Sequence, residues 1–133
     1  MNAAGIVRQT ALSDLVILAP FAIPGLAPLY LDLWFGLDGL LGGGGIAPDL
    51  GPTGWLLVNL FGLFAVWSAI LRLMGPTVLV ARRAALAKLV AAIIIAVGLM
   101  QGAAPVFALP LAADLGAAVF LAWGGWRGDR EIG

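Results

Sequence analysis

Four apolar stretches, each close to 20 residues long and nearly free of charge, constrain this 133-residue chain more than any other feature. About 20 apolar residues in a helix cross the hydrocarbon core of a bilayer. In lipid, backbone polar groups must bond within the protein, which leaves helices as the natural spanning element for such runs. The stretches cover residues 15–37, 55–74, 85–104 and 106–126. With 62% hydrophobic and 11% charged residues, a soluble domain of this size could not hide its apolar surface. The expectation is an all-α membrane protein: a single four-transmembrane-helix bundle over residues 1–133, with a glycine-rich outer loop at 38–54.

The cations set the expected orientation. Arg8 precedes the first stretch. Arg72, Arg82, Arg83 and Lys88 flank the junction of the second and third, and Arg127 and Arg130 follow the fourth. With four crossings all seven fall on one side, which the positive-inside rule makes cytoplasmic, together with both termini. Trp34 and Trp55 then lie near the outer boundary and Trp123 and Trp126 near the inner one, while Trp67 lies deeper and reads as a packing residue. Asp14 interrupts the start of the first apolar run and no small-residue cleavage pattern follows, so that run reads as a retained span rather than a signal peptide. A lean towards alanine, glycine and arginine points to a bacterial inner (cytoplasmic) membrane.

Span one carries Pro20, Pro24 and Pro28. Each removes a helix donor, so the span is expected to be proline-bent or locally unwound. The four-residue spacing makes a slanting stripe that should face the bundle, where the freed carbonyls can find partners. A broken helix can line a binding cavity. It can equally just shape packing.

Ionisable and amide groups inside the spans are the candidate ligand or proton-binding residues: Asp114, Asp32, Asn59 and Gln101. Asp114 sits near the middle of span four, on a face shared with Pro110, Ala117, Ala118 and Gly125. With no cation at its expected depth it should be neutral, donating to Asn59 or Gln101 or exchanging a proton with an entering ligand. A polar rivet between helices is the alternative. Asp32 reads as a marker of the water boundary, Asn59 and Gln101 as interhelical hydrogen-bonding groups, and Asp38 and Asp49 as members of a solvated loop. Asp14 forms a cytoplasmic charge cluster with Arg72, Arg82, Arg83 and Lys88, by ion pairing or snorkelling, with a head-group site for anionic lipid as the alternative. Gly98 and Gly102 have the spacing of a close helix crossing, and with Ala117 and Ala118 they make the candidate packing surface.

The chain has no cysteine and no histidine. That removes thiol chemistry and the ordinary ligands of zinc, copper and haem, so no cofactor or metal is expected. No basic, aromatic-interleaved patch supports nucleic-acid binding, and no nucleophile–base arrangement supports an enzyme. The four-span plan alone does not point to a family. Two functions remain. One is a non-catalytic accessory or assembly subunit, a helix-packing partner of other membrane subunits or of further copies of itself in the lipid bilayer. The other is a proton-coupled carrier or binder of a lipid or quinone, using Asp114 and Asp32 beside the proline-bent helix.

Overall fold

The structure, a computed structural model, describes residues 2–128. It is 82% helical, without strands among those residues. The helices are α1 (Ala3–Leu18), α2 (Ala27–Leu40), α3 (Gly51–Met74), α4 (Val78–Met100) and α5 (Ala108–Gly128), with 3-10 turns at Ala19–Ala22 and Pro105–Phe107. Four units are long and apolar enough to cross a membrane: Ala3–Ala22, Gly51–Met74, Val78–Met100 and Pro105–Trp126. The protein is thus a membrane-type bundle of four spanning helices, plus one shorter helix.

That shorter helix changes the first span. Hydropathy alone runs it over 15–37, whereas the spanning unit is Ala3–Ala22 and the remainder forms α2. The three prolines act separately. Pro20 lies in the first residues of the 3-10 turn. Ile23, the residue before Pro24, is extended at φ −104°, ψ 110°, the conformation that a following proline enforces. Pro28 occupies the first turn of α2, where its missing donor removes nothing. Since no continuous helix carries all three, they form no continuous inward stripe; Pro24 is exposed and Pro20 and Pro28 are half-buried.

Helices α4 and α5 form a closely packed antiparallel hairpin. α1 packs on both of them and, on its other side, on α3, so it lies between α3 and the hairpin. α3 itself has at most a marginal contact with α4, although only Gly75–Thr77 connects them. Glycines permit the close approaches. A Cβ at Gly62 of α3 would collide with the backbone of Phe21 and Ala22, and one at Gly124 of α5 would press on Ile6 of α1. The interior is accordingly small: Ala11, Ala27, Ala69 and Ala81 are fully buried, and Ile6, Val7, Ala81, Ala84 and Leu121 form the core cluster. The large apolar side chains point outwards, Leu86, Ile94, Phe64 and Val119 among them, as suits a bundle whose solvent is lipid.

The α4–α5 bend shows what Gly98 and Gly102 do. Gly102 has φ +92°. Its N–H bonds to the Leu99 carbonyl at 3.1 Å, and the Ala103 N–H bonds to the Gly98 carbonyl at 2.9 Å. These two bonds make a Schellman cap, the ending that favours glycine just past a helix. A Cβ at Gly98 would meet only Ala103, and one at Gly102 would meet nothing. The pair therefore ends α4, and neither glycine makes a close helix approach within the monomer. On α5, Ala118 is buried and Ala117 half-buried.

Candidate functional site: a charged quartet inside the bundle

Four ionisable side chains meet inside the bundle, one from each spanning unit. Arg72 Nη2 of α3 donates to Asp14 Oδ2 of α1 at 2.7 Å. Lys88 Nζ of α4 donates to Asp14 Oδ1 at 2.6 Å and to Asp114 Oδ1 of α5 at 2.7 Å. The order is Arg72–Asp14–Lys88–Asp114, two cations alternating with two anions. The side chains are 13–17% exposed.

Their depth follows from helix geometry. Asp14 lies about 16 Å along α1 from Ala3, Lys88 about 15 Å past Val78, and Asp114 about 18 Å before Trp126, at 1.5 Å per residue. In helices of this length those positions are central. Arg72 starts two residues before Met74, near the end of α3, and its long side chain reaches inwards. Asp14 and Lys88 are thus more central than an end-of-span cluster would place them. α1 begins at Ala3, and α4 begins at Val78 under a Thr77 cap whose hydroxyl accepts from the Val80 N–H at 3.2 Å.

This arrangement corrects the expectation for Asp114. A cation does reach it, and its partner is Lys88 rather than Asn59 or Gln101. Asn59 Nδ2 instead donates to the Phe21 carbonyl at 2.9 Å, supplying a backbone group of the 3-10 turn with an interhelical partner. Gln101 is exposed at the end of α4. Asp32 is exposed on α2, and no hydrogen bond or ion pair joins it to Asp114 among the described residues. Arg82 and Arg83 do not join the quartet; Arg82 Nη2 donates to the Gly125 carbonyl at 3.3 Å. Arg130 and the side chain of Arg127 lie outside the described residues.

No known protein family, curated protein or solved structure matches this chain.

A second polar centre escapes the sequence reading. Asp38, expected in a solvated loop, is 1% exposed. Its Oδ1 accepts from the Val106 N–H at 2.9 Å and its Oδ2 from the Gly45 N–H at 3.4 Å. The carboxylate therefore caps, from α2, the turn that leads into α5. Phe35 packs edge-on against Phe107 beside it, with ring centroids 6.5 Å apart. The local signal is the glycine run after α2. Gly42 has φ +87°, the Gly43 N–H bonds back to the Asp38 carbonyl at 2.9 Å, and a Cβ at Gly43 would collide with the Asp38 carboxylate. Such a run folds over the helix end and covers the aspartate.

Trp67 is 58% exposed rather than packed in the interior. It lines an open groove of about 320 Å³ with Phe64, Ser68, Leu71, Arg72 and Val80. Among the described residues no group of histidine, cysteine, aspartate and glutamate could hold a metal ion.

Proposed function

We propose that the protein is a non-catalytic integral membrane subunit, acting by helix packing as an accessory or assembly partner of a membrane complex. The observation that carries the reading is the closure of the quartet. Its charges satisfy one another, and no buried side-chain polar atom among the described residues lacks a partner. A substrate site of a carrier would offer an unpaired carboxylate. Each carboxylate of the quartet is instead held by a cation, while large apolar side chains occupy the outside, where lipid or another helix meets them. The compartment belonging to this reading is a bacterial inner membrane, with both termini and the Gly75–Thr77 turn on the cytoplasmic side.

The experiment is purification of the tagged full chain in mild detergent from its own membranes, with mass-spectrometric identification of co-purifying subunits and native mass measurement. A stoichiometric membrane partner or a defined oligomer is expected. A strictly monomeric protein without partners in several mild detergents would refute the reading.

A second reading, the proton-coupled carrier, draws on one observation: Lys88 bridges two carboxylates at mid-helix, and ionisable groups at such depth commonly serve ion pathways. In this reading Asp14 takes the place that the sequence offered to Asp32. Asp114→Asn would abolish pH-dependent flux in proteoliposomes while the helical content is retained.

A further inference from the structure

The gap between α3 and α4 is bounded by two different materials. Phe64, Trp67 and Leu71 share one face of α3, at spacings of three and four residues, and form a wall about 10 Å long. Val80 of α4 closes the other side. The foot of the wall is cationic. Arg72 lies there, using one N–H on the Ser68 carbonyl at 3.3 Å and another on Asp14, with further guanidinium donors left over. Arg83 lies three residues beyond Val80, hence on the same face of α4, and is exposed. It makes no hydrogen bond or ion pair with the described residues.

Apolar walls leading to Arg72, with Arg83 on the α4 face that carries Val80, match the two halves of an anionic phospholipid. From this, the geometry points to a bound anionic phospholipid in the α3–α4 groove, its acyl chain along Phe64, Trp67 and Leu71 and its phosphate at Arg83 and Arg72. Charge complementarity selects this occupant over a neutral lipid. A basic residue near an anionic surface contributes roughly fivefold in affinity. The bulk of the quartet's charge is already neutralised by Asp14 and Asp114, so Arg83 supplies the uncompensated positive charge. The inference is independent of whether the chain has partner subunits.

The test uses the full chain reconstituted in vesicles, with quenching of tryptophan emission by acyl-brominated phosphatidylglycerol or phosphatidylcholine. The Trp67 contribution is isolated by subtracting the Trp67→Phe variant. Trp67 should be quenched at about fivefold lower mole fraction of brominated phosphatidylglycerol than of phosphatidylcholine, and Arg83→Gln should erase the difference. Arg83 has no partner to lose among the described residues, and circular dichroism checks that the variant folds. Equal quenching by the two lipids, or an unchanged preference in Arg83→Gln, would overturn the proposal. So would displacement of the brominated phosphatidylglycerol by millimolar inorganic phosphate alone, which would make this a free-anion site.

Discussion

The ammonium of Lys88 lies 2.7 Å from Oδ1 of Asp114, across the seam between α4 and α5. The same ammonium holds Asp14 of α1, so its removal strands Asp114 and leaves Asp14 with Arg72 alone. Breaking a buried pair by deleting one partner destabilises by about 3–5 kcal/mol, because a desolvated charge is left behind. Lys88→Met should therefore sharply lower the thermal midpoint in detergent. Lys88→Met combined with Asp114→Leu leaves Asp14 paired with Arg72 and should recover most of the loss. A double variant no better than the single one would show that the pair does not act as a unit.

Asp38 offers a separate test at the other end of the bundle. Asp38→Ala leaves the Val106 N–H buried without an acceptor, a loss of about 1–3 kcal/mol. Amide exchange at Val106 and Phe107 should accelerate, while exchange in the centre of α3 should change little. Asp38→Asn keeps one oxygen for Val106 but turns an NH2 towards the Gly45 N–H, so its stability should fall between those of the alanine variant and the wild type.

Glycines in apparently similar settings should respond in opposite directions. Gly62→Ala drives a methyl into the backbone of the Ala19–Ala22 turn, and such overpacking destabilises by about 1–3 kcal/mol. Gly116→Ala meets nothing within 4 Å inside α5 and should stabilise by up to about 1 kcal/mol from helix propensity. Thermal unfolding of both variants in one detergent makes the comparison.

The division of Gly98 and Gly102 into helix end and cap can be checked in the same way. Gly102→Ala forces a side chain into φ +92° and should cost about 1–2 kcal/mol. Gly98→Ala faces only an ordinary contact with Ala103 and should be neutral or slightly favourable. A large loss at Gly98 would restore the reading of a close helix crossing.

What the sequence made legible, and what it did not, follows from the range of each interaction. The second, third and fourth spans are local hydropathy signals, and the structure has spanning helices close to all three. The first was displaced because hydropathy runs on past Ile23, whereas the extended backbone before Pro24 is a steric effect that apolarity does not report. Arg82 and Arg83 look like a turn and pushed the expected start of the third span to 85. They belong to the first turns of α4, where long cationic side chains tolerate the edge of a membrane. Starting that helix after Thr77 moves Lys88 to its middle, which is what brings it to Asp114. Asp38 was misread because its acceptor role depends on Val106, 68 residues away, and no local pattern reports such a contact.

The orientation itself has a clean assay, because the chain contains no cysteine. Single cysteines can be placed at Gly44, in the segment between α2 and α3, at Thr77, between α3 and α4, and at Ala103, between α4 and α5. With helices Ala3–Ala22, Gly51–Met74, Val78–Met100 and Pro105–Trp126 each crossing once, positions 44 and 103 share one face and position 77 the other. The positive-inside rule, applied to the arginines near the α3–α4 turn, predicts that turn on the cytoplasmic side. A membrane-impermeant maleimide applied to intact cells should label the cysteines at 44 and 103, and should label the one at 77 only after permeabilisation. Labelling at 77 in intact cells would invert the bundle and move the groove at Arg72 and Arg83 to the outer leaflet. Unequal behaviour of 44 and 103 would instead mean that one of the four helices fails to cross.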